Sequence, residues 1–381
     1  MVRVDFMESN NVKVSVVIPI YNAYNYLRPA MDSVIDQTLK EIEIICIDDG
    51  STDHSLDIIK SYQAADERVR IVTENNAGVS IARNKGIIRA RGEYIIFLDA
   101  DDFFEPDLLE RLYNTAKDYD LDITVSKFDF YNNKTSKFSP QIEETHGNIF
   151  SPGAVVSKSE YPDFILQSTT GYVWNKMFKT SFIRDKELLF APELYVFEDV
   201  HFVCTALSLA DRVSMLDDVL VHHRIYSDQS RNKLFKKYYA QVPVVYLKVK
   251  DFLMQHGMYI PLSRSFLNLS VSRCYKIYNL LWNDAKSNFW NLLHSGYADS
   301  LGWFQHESSD FESEELCDFA VNVGLYEHNI YEKRRNKGRK IKAEKVTTPW
   351  LQKHIKSAKN IAKTRSAFAK FFSKFKKKKK D

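Results

Sequence analysis

"YIIFLDADDFFEPD" (residues 94–107) carries an apolar run that ends abruptly in aspartates. The run has the length and composition of a buried β-strand. Asp99, Asp101 and Asp102 follow it directly, although like charges repel one another. The stretch therefore raises the question of what these carboxylates bind.

The first 131 residues alternate between strand and helix patterns. Strands are predicted at 13–20, 41–49, 68–74, 93–99 and 121–131, and helices at 26–37, 51–63 and 78–90. Ser51 and Thr52 are candidate N-caps of the second helix, and Pro106 is expected to open the helix after the fourth strand. This alternation predicts an α/β fold with a Rossmann-like, mostly parallel sheet and helices on both faces.

In such a sheet, ligands bind beyond the carboxyl ends of the strands. Polar residues stand at the predicted ends of four strands: Tyr21 and Asn22, Asp48 and Asp49, Glu74 to Asn76, and Asp99 to Asp102. We expect them to form one line along one edge of the sheet.

Asp99 and Asp101 are two positions apart, so extended backbone would place both carboxylates on one side. Oxygen ligands favour hard divalent cations such as Mg²⁺ or Mn²⁺, which also bind substrate phosphates. The alternative is a solvated acidic turn that caps the following helix, and these residues alone leave both interpretations open. The chain contains neither a P-loop nor a dinucleotide-binding glycine motif.

The chain contains five short segments whose order and spacing are informative. They are "VSVVIPIYN", "IDDGSTD", "NAGVSIARNKGI", "GEYIIFLDADD" and "FEDVHF". Together they resemble glycosyltransferase family 2, and the resemblance covers about residues 13–230. It implies the A-type glycosyltransferase (GT-A) fold, a nucleotide-diphosphate sugar as donor, a divalent metal, and inversion at the anomeric carbon.

The resemblance also implies roles for individual residues. Tyr21 would lie against the base and Asp49 would bind it, commonly as uracil, whereas Asp99 would lie near the ribose. The full nucleotide-binding set is Pro19, Tyr21, Asn22, Asp49, Asn76, Gly78, Arg83, Asn84 and Asp99. Asp101 would bind the metal, Mn²⁺ or Mg²⁺, with Asp99 beside it.

"YVFEDVHF" (195–202) matches the family's Glu-Asp pair. A sugar hydroxyl has a very high pKa, so a positioned carboxylate must take its proton as the new bond forms. Asp199 is the predicted base and Glu198 is the second candidate. By sequence chemistry alone, an exposed acidic helix start is the alternative.

Three further positions have open alternatives. Lys176 is expected to face a phosphate and Trp174 to shape the donor or acceptor pocket, unless Trp174 is core and Lys176 a surface charge. His222 is a candidate metal ligand, although a strand histidine is more often structural. Arg224 would meet the diphosphate or pair with a surface acid.

Charge divides the chain sharply. Residues 333–381 contain 20 Lys or Arg and two acids, which leaves 33 basic and 48 acidic residues in 1–332. Apolar and aromatic residues recur at helical spacing in 350–375, with lysines on the opposite side. Such a helix suits an anionic membrane surface, so residues 350–380 are predicted to bind one; a solvated tail or a nucleic-acid site is the alternative.

The predicted organisation is a GT-A catalytic domain (1–230), a helical region (231–332) and a basic amphipathic tail (333–381). The aromatic-rich helical region is expected to be a packing domain, with an acceptor lid or a homo-oligomer surface as alternatives. Four scattered cysteines favour a reducing cytoplasm. We expect neither a signal peptide nor a membrane-spanning segment.

The sequence therefore predicts a metal-dependent inverting glycosyltransferase in the cytoplasm, peripherally attached to the cytoplasmic face of a membrane. Its donor would be a nucleotide sugar, expected to be a UDP-sugar. Its acceptor would be a glycan or lipid-linked hydroxyl in cell-surface polysaccharide synthesis, and no nucleic acid is expected as partner. The rival functions are a nucleotidyltransferase and a non-catalytic glycan- or membrane-binding protein on the same fold.

Overall fold

The computed structural model describes residues 12–141, 149–150, 153–226 and 237–336. Of the predicted tail (333–381), residues 337–381 lie outside the described residues, and so does the predicted membrane-binding segment 350–380. The chain divides into two compact units, residues 1–228 and residues 229–381.

The first unit begins with the predicted alternation. Its strands are β1 (Val14–Ile20), β2 (Ile42–Asp48), β3 (Val69–Thr73), β4 (Tyr94–Phe97), β5 (Phe103–Phe104), β6 (Ile123–Asn132), β7 (Lys137–Pro140), β8 (Lys176–Lys179) and β9 (Val213–Ile225). Its helices are α1 (Leu27–Ile35), α2 (Ser55–Ala65), α3 (Val79–Arg89), α4 (Leu108–Asp118), α5 (Thr180–Asp185) and α6 (Glu198–Leu209). A 3₁₀ turn spans Ile165–Gln167.

Within the described residues, these nine strands form one sheet in the order β3-β2-β1-β4-β8-β6-β9-β5, and β7 pairs with β6. The pairs among β1, β2, β3 and β4 are parallel, so their carboxyl ends meet at one edge. The predicted line of polar residues along that edge is confirmed.

The other half of the sheet is mixed. β8 runs antiparallel to both β4 and β6, whereas β9 is parallel to β6. β6 ends at the carboxyl edge, and no crossover helix is present in the described part of the segment before β8. Within this segment Val156 bridges Val213, the first residue of β9, beside the start of β6.

The start of α2 differs from the sequence prediction. This helix begins at Ser55, whose N–H donates to Asp53 Oδ1 (2.9 Å). The prediction that Ser51 or Thr52 caps α2 is wrong. Both residues instead contact Asn22: Ser51 Oγ accepts from the Asn22 N–H (3.1 Å), and the Thr52 N–H donates to Asn22 Oδ1 (2.8 Å). Similarly, α4 begins at Leu108, two residues beyond Pro106.

The second unit is helical over its described residues. It comprises α7 (Val242–Gln255), α8 (Ser263–Leu280), α9 (Asn283–Leu292), a π turn (Leu293–Tyr297), α10 (Ala298–Ser300), α11 (Glu314–Leu325) and α12 (His328–Asn336). Short 3₁₀ turns span Tyr239–Gln241, Trp303–Gln305 and Ser308–Asp310.

Aromatic side chains build the core of this second unit. Tyr278, Trp290, Trp303 and Phe319 are all buried. The indole N–H groups find partners inside the unit, since Trp303 donates to Ser270 Oγ (2.9 Å) and Trp290 to the Tyr326 carbonyl (2.8 Å). The aromatic periodicity of the sequence is thus accounted for by packing within this unit.

No helix within the residues that the structure describes combines the length and hydropathy needed to cross a bilayer. All four cysteines are buried free thiols.

Close packing of α3 on β1 generates a stability prediction. A Cβ at Gly86 would lie 2.2 Å from Val17 Cγ1 and 2.8 Å from Cγ2. Gly86→Ala should therefore lower the free energy of unfolding of the protein by about 1–3 kcal/mol, despite the better helix propensity of alanine. Urea unfolding followed by tryptophan fluorescence measures this change.

Ile88→Ala on the same helix is the matched control, because Ile88 is exposed and should change stability by less than about 0.5 kcal/mol. Adding Val17→Ala to Gly86→Ala should recover part of the loss, since it removes the clashing methyl groups. A Gly86→Ala protein as stable as wild type would contradict the close approach.

Candidate active site

The loops after β1 and β2 are tied together at the carboxyl edge. Asn22 adopts a left-handed backbone conformation (φ 51°), and its side chain accepts from the Thr52 N–H. The next turn is held in the same way, because the Tyr24 N–H donates to Asp53 Oδ2 (3.1 Å). Tyr21 remains 51% exposed beside this fixed loop. Its ring is accessible, and base stacking by Tyr21 stays a prediction.

Asp49 organises the loop that leads into α3. This buried carboxylate accepts from the backbone N–H groups of Ala77 (2.7 Å) and Gly78 (2.8 Å). Gly78 has φ +97°, a conformation that L side chains rarely adopt, which accounts for glycine at this position. Asp49 thus positions the Asn76–Gly78 segment at the same edge as Pro19 and Tyr21. The predicted contact of Asp49 with a base would use its remaining lone pairs.

Arg83 joins two acidic segments that are far apart in the sequence. It lies on α3 and is 3% exposed. One guanidinium nitrogen donates to Asp99 (2.7 Å) and another to Glu198 (2.8 Å). Burial opposes the charged form, but the carboxylates of Asp99, Glu198 and Asp199 outweigh it and raise the pKa of Arg83. Arg83 therefore stays cationic and holds the aspartate-rich stretch against the start of α6.

Glu198 and Asp199 are the first two residues of α6, and they have different partners. The N-cap residue Phe197 has a left-handed conformation (φ 61°), which turns the chain sharply into the helix. Glu198 is paired with Arg83, whereas no ion pair involves Asp199 within the described residues. Asp199 accepts from the N–H of Val200 (2.8 Å). Burial and the charge of Glu198 raise the pKa of Asp199 to about 7, against the opposing effect of Arg83.

This difference bears on the choice of base. A group with a pKa near 7 can both accept and release a proton at neutral pH. Glu198 is already engaged by a cation, so it is less suited to leave its partner and accept a proton. The arrangement favours Asp199 over Glu198, as the sequence analysis did.

Asn84 was predicted to contact the nucleotide, but its amide lies against the backbone of Phe190. Its Nδ2 donates to the Phe190 carbonyl (2.8 Å), and its Oδ1 accepts from the Phe190 N–H (2.8 Å). The Phe190 ring in turn lies under the Arg83 guanidinium (5.2 Å to the centroid) and stacks on Phe202 of α6 (4.1 Å between centroids). Asn84 thus supports the segment that leads to Glu198 and Asp199.

Asp101 and Asp102 have separate partners. Asp101 accepts from the Tyr226 hydroxyl (2.7 Å). Asp102 is fully buried and accepts from His223 Nδ1 (2.9 Å) and from the Arg224 N–H (2.8 Å). Burial raises the pKa of Asp102 to about 6, although His223 opposes the shift. The end of β9 and Tyr226 after it therefore hold Asp101 and Asp102, whereas Arg83 holds Asp99.

Trp174 is 2% exposed and belongs to an aromatic stack. Its ring lies parallel to those of His223 (5.2 Å) and Tyr172 (4.9 Å). Because His223 contacts Asp102, this stack supports the aspartate cluster from behind. Trp174 is therefore a core residue, which is one of the two possibilities that the sequence left open.

The other three predicted positions are all engaged by the protein itself. Lys176 is fully buried, and its ammonium donates to the Tyr172 carbonyl (2.6 Å) and to Asn175 Oδ1 (2.8 Å). Lys176 was expected either to face a phosphate or to be a surface charge. Instead, its ammonium is buried and donates to oxygen atoms of the protein. Phosphate binding by Lys176 stays a prediction that these contacts do not support.

His222 lies between two carboxylates, with Asp129 at 2.6 Å from Nδ1 and Glu105 at 2.8 Å from Nε2. Metal binding by His222 would require one of these hydrogen bonds to break. Arg224 donates to the Asp101 carbonyl (2.7 Å) and to Asn133 Oδ1 (2.7 Å). It is 8% exposed and is surrounded by the rings of Tyr26, Phe103 and Tyr131 at 5.0–5.6 Å from its central carbon.

Sequence reasoning missed Tyr226 and the role of His223. Each lies more than 120 residues from its aspartate, so no local spacing connects them. The available signal is the alternation of side chains along β9, which places neighbouring residues on opposite faces. Which face meets the aspartates depends on the pairing of Phe103 with His222.

The aspartates fit a divalent cation as partial ligands. Burial and the charge of Asp99 raise the pKa of Asp101, with the Tyr226 hydrogen bond opposing. A second negative charge is therefore costly here, and a bound cation would remove that cost. Among the described residues, no cluster of three or more His, Cys, Asp and Glu side chains could hold a metal. The donor set suits Mg²⁺ or Mn²⁺ only when phosphate and water complete the coordination.

A parallel half-sheet with carboxylates along its edge, followed by a helical region, is the architecture of GT-A glycosyltransferases. The structure of Staphylococcus aureus TarS 1–349 in complex with UDP-GlcNAc is similar, with a TM-score of 0.66 and 19% identity, covering 86% of this chain and 92% of that one. At this identity the likeness concerns the fold, and it confirms the predicted fold class.

Sequence comparison then identifies the family. The model of Glycosyl transferase family 2 matches residues 15–188. EpsH from Bacillus subtilis, provisionally named a glycosyltransferase, is 32% identical over 64% of this chain and 70% of its own length. The poly(ribitol-phosphate) beta-glucosyltransferase of Bacillus spizizenii is 29% identical over 68% of this chain but only 40% of its own length. The chain belongs to glycosyltransferase family 2.

The position of Asn84 leads to a prediction that distinguishes a structural role of this residue from direct contact with the nucleotide. Asn84→Ala removes both hydrogen bonds to Phe190 and should lower the free energy of unfolding by about 1–3 kcal/mol. Calorimetric titration of UDP should then give an affinity within about threefold of wild type, because Asn84 itself would not touch the nucleotide.

Asn84→Asp is the matched variant: it keeps the acceptor for the Phe190 N–H but places a carboxylate oxygen against the Phe190 carbonyl, so it should be at least as unstable as Asn84→Ala. A variant with wild-type stability and strongly weakened UDP binding would instead restore the predicted nucleotide contact.

Proposed function

We propose that this protein transfers a sugar from a UDP-sugar to a hydroxyl of a cell-surface glycan, with inversion at the anomeric carbon. The observation that carries the proposal is the chain of contacts Asp99–Arg83–Glu198, with the unpaired, raised-pKa carboxylate of Asp199 next to it. It brings the family's two acidic motifs together at one edge of the sheet.

The reaction assigns each bond change to a group. The acceptor oxygen attacks the anomeric carbon from the face opposite the leaving group, and the bond to the diphosphate oxygen breaks with its electron pair on UDP. Asp199 takes the proton of the attacking hydroxyl as the new C–O bond forms. The charge of Glu198 beside Asp199 raises the pKa of Asp199 and makes it a stronger base than an isolated carboxylate.

A divalent cation, Mn²⁺ or Mg²⁺, is part of the proposal. Asp101 would hold it with Asp99 nearby, and it would neutralise the negative charge that develops on the diphosphate. The hydrogen bonds from Tyr226 to Asp101 and from His223 to Asp102 would keep these carboxylates in place. A UDP donor is supported by the similarity to TarS, whose structure contains UDP-GlcNAc.

The acceptor class is supported by the relatives' names. One relative acts on poly(ribitol phosphate), a polymer, and another is named for teichuronic acid biosynthesis. We propose a glycan or lipid-linked acceptor of this general kind. We expect the shape of the donor pocket to select the donor sugar.

The tail supports a location for the enzyme. Residues 333–381 carry a net charge of about +18 by count of Lys, Arg, Asp and Glu. Each basic residue near an anionic bilayer contributes on the order of 1 kcal/mol. We propose that residues 350–380 hold the enzyme at the cytoplasmic face of a membrane, where lipid-linked acceptors would also lie.

Replacement of the base tests the proposal. The full-length protein with Mn²⁺ and a panel of UDP-sugars should release UDP, and EDTA should abolish the release. Asp199→Asn should lower the release rate by roughly 10²–10⁴-fold, because the general base is lost. Calorimetry should find UDP affinity nearly unchanged in this variant.

Asp118→Asn at the exposed end of α4 is the control for loss of an aspartate and should keep wild-type activity. If Asp199→Asn retains activity within threefold of wild type, Asp199 is not the base. UDP binding without release from any donor would favour the non-catalytic alternative, and no UDP binding with either metal would reject the donor class.

The pH dependence of the rate tests the state of Asp199. Its pKa is raised from 3.8 to about 7, so the carboxyl is protonated and inactive as a base at lower pH. The rate of UDP release should rise about tenfold per pH unit below 7 and level off above it. Glu198→Gln removes the neighbouring negative charge and should move this limb to lower pH, whatever its effect on the maximum rate. If the acidic limb of the pH–rate profile stays in place or moves to higher pH in Glu198→Gln, Asp199 is not the group that titrates.

A further inference from the structure

A cavity of about 520 Å³ lies in the first unit, among the mixed strands of the sheet. Its walls come from the middle of β6, from residues 169–175 before β8, and from residues 215–219 of β9. The register between β6 and β9 is irregular here, between Val125 and Phe128. Its volume is within the range of about 300–1,000 Å³ that is typical of small-molecule sites.

Two buried hydroxyl groups in the wall lack partners. Ser126 is 0% exposed and Thr170 is 1% exposed, and neither hydroxyl oxygen has a hydrogen-bond partner within the described residues. Both residues line the cavity. An unpartnered buried hydroxyl costs free energy and calls for an explanation. Rotation of either side chain toward the cavity would let a ligand there supply the partner.

The remaining polar wall is rigid and electrically balanced. Asn175 donates to the Ser126 carbonyl (2.7 Å) and accepts from Lys176. Of the charged residues in the lining, Lys127 and Asp217 form an ion pair with each other. The cavity therefore offers no net charge to a ligand, which disfavours a phosphate or carboxylate group.

Aromatic and aliphatic side chains cover the rest of the wall. Phe128 and Phe150 contribute rings, and Met215 and Leu216 contribute aliphatic surface. Phe128 is held at right angles to Trp174 (4.6 Å between centroids), so its position is fixed. Apolar faces combined with a few hydroxyl and amide groups match a neutral ring that bears hydroxyl groups, which is the chemistry of a sugar.

The sheet order places this cavity on the acceptor side of the proposed reaction. The predicted nucleotide residues follow β1, β2 and β3, and the aspartates follow β4. The cavity lies beyond β4, against β6, β9 and the residues just before β8. Gly171, next to Thr170, is so close to the start of α6 that its Cβ would lie 3.2 Å from Val200 Cα, one residue from Asp199.

We propose that this cavity binds a neutral sugar unit of the acceptor glycan and that Ser126 and Thr170 recognise its hydroxyl groups. The inference rests on the proposed function, because it identifies the acceptor for the same carboxylates. It adds a site that the nucleotide and catalytic residues do not include, and a ligand class that excludes charged units at this position.

Binding of simple glycosides to the full-length protein tests the cavity. The protein is first saturated with UDP and Mg²⁺, so that the donor site is filled. Saturation-transfer NMR then measures the affinity of methyl β-glucoside, methyl β-galactoside and methyl N-acetyl-β-glucosaminide, with glucose 1-phosphate as the charged comparison. At least one neutral glycoside should bind, and more tightly than glucose 1-phosphate.

Ser126→Ala and Thr170→Val should each weaken that binding about threefold to tenfold, as expected for one lost hydrogen bond. Neither variant should lower the melting temperature, because neither hydroxyl has a partner in the folded protein. Thr124→Val is the matched control: Thr124 is buried with an equally unpartnered hydroxyl but does not line the cavity, so its binding should equal wild type.

The inference is overturned if no neutral glycoside binds, if the Ser126 and Thr170 variants bind as wild type does, or if glucose 1-phosphate binds more tightly. A lower melting temperature in both variants, with unchanged binding, would show that the hydroxyls are structural. The UDP titration is separate from these measurements. Its failure would reject the proposed donor, whereas failure of glycoside binding in a UDP-saturated protein rejects the cavity alone.

Discussion

The buried guanidinium of Arg83 is the interaction on which the site depends. It contacts Asp99 after β4 and Glu198 at the start of α6, two segments separated by about a hundred residues. Without this cation, three carboxylates would repel one another in a partly buried site. The positive charge of Arg83 also opposes the rise in the pKa of Asp199, which reaches about 7. The same charge thus joins two distant segments of the fold and, in the proposed reaction, acts on the base.

Support for the aspartates comes from two directions. On one side, Asn84 and the Phe190–Phe202 stack position the segment that carries Glu198 and Asp199. On the other side, β9 provides His223, and the ring of Trp174 lies parallel to it. Residues predicted to touch the substrate therefore include several that hold other residues in place. Such supporting contacts are what keep reacting groups within a few tenths of an ångström of a productive geometry.

In the proposed reaction, the mixed half of the sheet provides a place for the second substrate. The parallel strands β1 to β4 end in the loops predicted to bind the nucleotide, and β8, β6 and β9 lie beyond β4. The carboxylates stand between these halves. A hydroxyl held on the side of the mixed strands would approach from the face opposite a nucleotide held over the parallel strands, which is the geometry that inversion requires.

The sequence by itself determined the strand–helix alternation, the edge that carries the site, and the two acidic motifs, because these depend on local periodicity and on short contiguous segments. The sequence could not determine which side chains already have partners within the folded protein. Lys176 and Arg224 look like free cations in the sequence, yet they lie in the interior with oxygen or aromatic partners. The pairing of Arg83 with Glu198, and of His223 with Asp102, arose only when β4, α3, α6 and β9 came together. Burial and charge pairing are properties of packed neighbours distant in the chain, so the tertiary structure alone decided them.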